Sequence, residues 1–155
     1  MKLAEFIDEI YMPWAKSNKK SWLNDHYNSV PLKNYFRGKQ LREVQPLDVE
    51  RFKSKRLATE TKHATPRAPA SVNREYEVLS RVFNLAIEVG KADYNPCLLA
   101  KKFRLDNERY RYLTPTEESD LMTSLVDARK HLHAMVIIAL GLGLRKREQL
   151  NLRCD

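Results

Sequence analysis

Glycine and cysteine are scarce in this chain: 155 residues hold four of the first and two of the second. So few glycines, with little apolar–polar alternation between them, leave small room for the tight hairpins and pleated ladders of an all-β fold. Cys97 and Cys154 are isolated and no C-x-x-C occurs. That argues against a disulfide scaffold or a thiolate metal site and fits a reducing, cytoplasmic setting. The four histidines lack ligand spacing as well. His26 and His63 stand alone, and His131 and His133 are two apart, so a helix points them in different directions. No metal and no cofactor is expected. No apolar run approaches the ~18 residues of a membrane span. Met1-Lys2-Leu3-Ala4-Glu5 carries an acid too early for a secretory signal, and no membrane partner is expected.

What the chain does have is charge and helical periodicity. Charged residues make up 31% and hydrophobic ones 43%, a folded rather than disordered profile, at one ordinary domain's length or slightly more. The net charge is +8, and its distribution is uneven. Residues 1–100 carry 17 basic and 12 acidic side chains, residues 101–112 carry 5 and 2, and residues 113–155 carry 6 and 6. The excess thus peaks in a short segment between two helical regions. On charge alone, a polyanion partner and a merely soluble basic protein explain this equally well.

Leu3, Phe6, Ile7, Ile10, Tyr11 and Trp14 recur at three- and four-residue steps, which predicts an amphipathic helix with Pro13 kinking or stopping its end. Ser21 reads as the N-cap of a second helix with Trp22, Leu23, Tyr27 and Val30 on its apolar side, interrupted at Pro31. A short piece with Leu32, Tyr35 and Phe36 then closes at Gly38. Pro46 suits the first turn of a third helix bearing Leu47, Val49, Phe52 and Leu57. A polar loop covers 61–69. A longer helix follows from about Ser71 to Val89, with Val72, Tyr76, Leu79, Phe83, Ala86 and Ile87 facing the core and Gly90 ending it.

Beyond the basic segment, Thr114-Pro115-Thr116-Glu117 combines an N-cap threonine, a first-turn proline and a glutamate at the third helical position, the pattern of a capping box. Its helix bears Leu121, Met122 and Leu125. A second helix, about Lys130 to Leu142, is nearly all apolar and is expected to be buried in whatever domain holds it. Residues 113–155 are too few for a good core unaided, so this segment is expected to be loosely packed and truncated. The expected organisation is a helical domain at 1–100, a basic linker at 101–112, and the beginning of a further domain at 113–155.

Four stretches then fall in a meaningful order. They are Ser71-Val72-Asn73-Arg74-Glu75 through Phe83-Asn84-Leu85-Ala86; Asn95-Pro96 after Gly90; Arg111-Tyr112-Leu113-Thr114-Pro115-Thr116-Glu117-Glu118; and Gly143-Leu144-Arg145-Lys146-Arg147-Glu148 into Gln149-Leu150-Asn151-Leu152. In this order they resemble the tyrosine recombinases, the phage-integrase family. The first is similar to the last long helix of that family's core-binding domain, and the second to the exit from it. The third is similar to the start of the catalytic domain, and the fourth to the first catalytic arginine box. The match covers nearly the whole chain, loosely over its N-terminal third. It departs from the family at Leu142, where threonine is common, and at Arg147, where a small residue is frequent.

The resemblance implies an all-α fold: a four-helix, SAM-like core-binding domain, then the first helices of a truncated catalytic domain. It implies double-stranded DNA as partner, other recombinase protomers in a tetramer when full length, and strand exchange through a 3′-phosphotyrosine without metal. Arg145 carries over as the catalytic arginine, whose planar fork can bond two phosphate oxygens, with Glu148 bracing it. Taken alone, an arginine so placed reads as a helix-end residue capping carbonyls or pairing with Glu148. All seven tyrosines precede Arg145, so none matches the family's late nucleophile, and the second arginine, the lysine and the later histidine are missing. The chain alone is expected neither to cut nor to join DNA.

The resemblance also implies a clamp in which the linker passes along the duplex. The basic segment Lys101, Lys102, Arg104, Arg109 and Arg111 suits phosphate contacts. Arg74 and Arg81, seven apart, share a helix face with Asn73 nearby, and Lys19 and Lys20 sit in the turn before a helix. Any one of these is as readily a solvated surface charge. Two other readings of the whole stay open: a non-catalytic DNA-binding remnant that occupies recombination sites, and a helical protein–protein adaptor whose basic surface is incidental.

Overall fold

The computed structural model describes residues 1–61, 64–106 and 111–153, apart from the side chains of Asp127 and Ala128. Among the described residues every regular element is helical, as the glycine-poor sequence led one to expect. The extended pairing present is a single bridge between Lys2 and Gln40. The chain divides into two compact units, Met1–Asp106 and Asn107–Asp155. No described helix is long and apolar enough to cross a membrane.

In the first unit, α1 (Leu3–Phe6), a π-turn at Ile7–Tyr11 and α2 (Met12–Asn18) form one continuous run. Pro13 therefore does not stop the helix. The wide turn falls immediately before it, with the Met12 N–H reaching the Ile7 carbonyl, where a proline ring disturbs regular i−4 bonding. Helix α3 (Trp22–Tyr35) likewise runs straight through Pro31, contrary to the interruption expected there. Pro31 forfeits one bond, to the carbonyl of exposed Tyr27, which water can satisfy.

A larger correction concerns which face of α3 points inward. The expected apolar side is mostly outside: Leu23 and Val30 are exposed and Tyr27 is 69% exposed. Asp25, Ser29 and Leu32 are buried instead. Buried polar groups persist where they are bonded, and these are. The Ser29 hydroxyl donates to the His26 carbonyl at 2.7 Å, and the Asp25 carboxylate accepts from the Tyr11 hydroxyl at 2.7 Å and from Lys19.

Helix α4 (Pro46–Leu57) opens on its proline, and α5 (Pro69–Glu88) is the axis of the unit, packing against α3, α4 and the 3₁₀ turn Pro96–Leu99. Val72, Leu79, Val82, Phe83 and Ala86 of α5 are buried with Phe6, Phe36 and Phe52. Each large side chain so enclosed contributes roughly 1.5–3 kcal/mol relative to exposure. A two-pronged ion pair ties α4 to α5, with Arg56 Nε 2.7 Å and its terminal nitrogen 2.5 Å from the buried Glu75 carboxylate. Gly90, at φ +68°, reverses the chain after α5, and the Lys91 and Ala92 amides both return to the Ala86 carbonyl. Asn95 then caps the 3₁₀ turn by accepting from the Cys97 amide at 2.9 Å, while its own amide donates to Ser80 and Asn84 of α5.

The second unit holds α6 (Pro115–Thr123), a 3₁₀ turn at Asp127–Leu132, α7 (His133–Leu142) and α8 (Lys146–Leu150). The capping box forms as read: the Glu117 amide donates to the Thr114 hydroxyl at 3.2 Å, and the Thr114 amide to the Glu117 carboxylate at 3.0 Å. Helix α7 ends at Gly143, in the left-handed region at φ +61°. None of the residues of this helix is buried. Among the described residues of this unit Leu125 alone is buried, since so short a segment supplies no opposing layer.

Candidate nucleic-acid interface

Helix α5 gathers basic residues that lie far apart in sequence. Its outward face carries Arg74 and Arg81, two turns apart. Arg81 stands 3.7 Å from the Asp25 carboxylate, which also holds Lys19 from the turn between α2 and α3. One buried anion thus collects two cations from different elements onto one side of the unit. Lys102, from the segment after the 3₁₀ turn, pairs with Glu77 of α5 at 2.7 Å. Arg81, Glu77, Asn84 and Lys102 line one shallow depression; Arg74 lines another with Asn24, Tyr27 and Asn28 of α3.

The remaining candidates are placed as follows. Lys20, Lys101 and Arg104 are exposed. Asn73 is buried, and both ends of its amide are engaged by the backbone of Phe103. Arg111 belongs to the second unit, where it pairs with Glu117 at 2.8 Å. Arg109 lies outside the described residues, as do His63, Tyr110 and Cys154.

Arg145 caps the start of α8 with an extended backbone, and its side chain is 87% exposed. It was expected at the end of a buried helix; α7, which precedes it, is not buried. Glu148 meets it twice, accepting the Arg145 amide at 2.9 Å and its guanidinium at 3.2 Å. The carboxylate therefore both caps the helix and holds the arginine, leaving guanidinium donors facing solvent.

Several groups are chemically quiet. Burial, then the bond to Asp25, pushes the Tyr11 hydroxyl well above the ordinary range of a phenol. Burial also raises Tyr76 and pushes the Cys97 thiol up to about 12, so Cys97 offers almost no thiolate near neutrality. Asp25, Asn24 and Asn28 escaped the sequence reading, which had Tyr27 on the apolar side of α3. A lone aspartate in an otherwise apolar-patterned helix gives no sign of its direction until Tyr11, Lys19 and Arg81 surround it.

Over its whole length the chain is similar to the shufflon-specific DNA recombinase of Escherichia coli, with 28% identity over 158 residues. It spans 41% of that protein, about two fifths of its length. No family model and no solved structure matches. The likeness runs across both units and supports a relation to DNA recombinases.

Proposed function

We propose that this chain is the DNA-gripping N-terminal portion of a site-specific tyrosine recombinase. The reading is carried by the convergence on α5 of Lys19, Arg74, Arg81 and Lys102, cations from three separate stretches that share one side of a helical unit. Clustered lysine and arginine suit a phosphate backbone, and the polar side chains of Asn24 and Asn28 beside Arg74 suit base edges. The likeness to a DNA recombinase supports the same conclusion. In this proposal residues 1–100 form the SAM-like core-binding domain, 101–112 the linker, and 113–155 the beginning of the catalytic domain.

Within that scheme Arg145 stabilises charge on a phosphodiester oxygen, and Glu148 holds it in place. An exposed guanidinium with free donors is what such a role needs before DNA arrives. The outward apolar surface of α7 is the part that the rest of a catalytic domain covers. Strand cleavage itself belongs to that longer enzyme, and its protomers assemble on the DNA.

Binding of the chain to duplex DNA, followed by fluorescence anisotropy across a salt series, tests the reading. Affinity is expected to fall ten-fold or more between about 50 and 200 mM salt as counterions are released. Arg81→Glu and Lys102→Glu should each weaken binding strongly, while Lys130→Glu, in the 3₁₀ turn Asp127–Leu132, serves as comparison. Binding that ignores salt, or no binding at low salt, would sink the proposal. A nicking assay on supercoiled DNA should give no covalent adduct with this chain alone.

A further inference from the structure

From the 3₁₀ turn into the basic segment, the chain is held at four successive points. The Tyr76 hydroxyl lies 2.6 Å from the Cys97 carbonyl and 2.8 Å from that of Ala100, sharing its proton between them. Lys53 donates to the Lys101 carbonyl. Asn73 then pairs with the peptide of Phe103 as a strand partner does, its Nδ2 donating to the Phe103 carbonyl and its Oδ1 accepting the Phe103 amide, both at 2.9 Å.

Each gripping side chain is buried and reaches the main chain of the segment, Lys53 also pairing with the Glu50 carboxylate. Lys53 is the unusual member. A lysine only 2% exposed is costly unless its ammonium is satisfied. Here the ammonium has Glu50 at 3.0 Å, the Lys101 carbonyl, and the rings of Phe103 and Tyr76 at 4.9 and 5.8 Å. The backbone of 97–103 is thereby fixed, while Lys101, Lys102 and Arg104 stay exposed. Pure packing would be served by apolar residues; three polar groups spent on backbone carbonyls and one amide specify the course of the segment.

We infer that Tyr76, Lys53 and Asn73 form a latch that orders the basic strap before DNA is met, so that its cations reach the phosphates without a folding step. The inference rests on the DNA-binding reading above. It makes Asn73 a positioning residue, acting on DNA through the strap it holds. Ordering a free strap on DNA subtracts from affinity the conformational entropy that the latch has already removed.

The test compares the full chain with Asn73→Ala, Tyr76→Phe and Lys102→Ala on one fluorescent random-sequence duplex, over a salt series, with amide exchange read in parallel. Neither latch variant removes charge. Both should therefore bind about ten-fold more weakly, about 1.4 kcal/mol, at every salt, with an unchanged slope of log affinity against log salt. Lys102→Ala should instead reduce the slope by about 0.9, the signature of one lost phosphate contact. The Phe103 amide should exchange slowly in the parent chain and fast in Asn73→Ala, while the Leu79 and Val82 amides of α5 keep their protection. Tyr76→Phe keeps the ring and carries the comparison if Asn73→Ala fails to fold.

Three results would overturn the latch: a Phe103 amide equally fast in the parent chain, parental affinity in both variants, or a slope that falls with affinity. Failure of the parent chain to bind at low salt is seen before any variant is compared. It defeats the DNA reading, and with it the latch's role in binding.

Discussion

In the unit Met1–Asp106, α5 carries Val72, Leu79, Val82, Phe83 and Ala86 into a closed interior, whereas in Asn107–Asp155 the more apolar α7 buries none of its ten residues. The difference lies in partners rather than in hydrophobicity. Helix α5 has α3, α4 and the 3₁₀ turn against it. Helix α7 meets the preceding turn and α8, and Ile137 and Leu140 remain 49% and 43% exposed. The free energy of apolar burial accrues to area removed from water, not to apolar residues as such. The two units hold polar residues differently too. The first buries Asp25, Lys53, Asn73 and Glu75 in bonded sets, while the capping box and the Arg145–Glu148 pair of the second lie at the surface.

The sharpest way to break this contrast is Phe83→Ala. It should cost the first unit about 3–5 kcal/mol by opening a cavity in a packed interior, read as a lowered midpoint of chemical denaturation. A loss below about 1 kcal/mol would mean that the interior is not closed around α5. Next is Glu75→Ala, which leaves Arg56 half-buried without its carboxylate and should cost about 3 kcal/mol. Equal stability of Glu75→Ala and the parent chain would show the pair to be solvated.

In the second unit Thr114→Ala should cost α6 about 1 kcal/mol through loss of its N-cap, detected as faster exchange of the Glu117 amide. Acidification probes the same box. The Thr114 amide, then Arg111, holds Glu117 below its ordinary value of 4.5. A carboxylate depressed on folding stabilises above its unfolded pKa and loses that contribution as pH falls through the folded value. Helix α6 should therefore hold its start at neutrality and fray below about pH 4.5, and retention of full protection well below that would count against the box. Smallest of all, Leu140→Ser should change stability by no more than about 0.5 kcal/mol, as exposed substitutions do. A cost above about 1.5 kcal/mol would show that α7 is covered after all, and the contrast would collapse.

Much of the helical layout was legible because its signals are local. Pro46 and Thr114-Pro115 mark helix starts, and Gly90 and Gly143 mark ends at positive φ. The three- and four-residue spacing of Val72, Tyr76, Leu79, Phe83 and Ala86 placed the right face of α5 inside, although Ile87, read as part of it, is exposed. The same rule failed on α3. Spacing counts side-chain types and is blind to countercharges, and Asp25 is buried because Tyr11, Lys19 and Arg81 meet it from two other elements. Of the candidate interface, the cations were readable one by one; that Lys19, Arg81 and Lys102 share α5 was not. Asn73 was read only as a neighbour of Arg74 and Arg81, and its hold on Phe103 depends on where the chain returns after Gly90.

Composition and local spacing alone settle that this chain is helical, that its basic excess peaks at 101–112, and where most helices begin and end, because capping, proline geometry and periodicity act within a few residues. Tertiary structure decides which side of α3 is buried, which carbonyls Tyr76 and Lys53 grip, and which apolar helix finds cover. Those outcomes depend on counterparts distant in sequence, and the burial of a charge or an apolar face is favourable only once the counterpart is there.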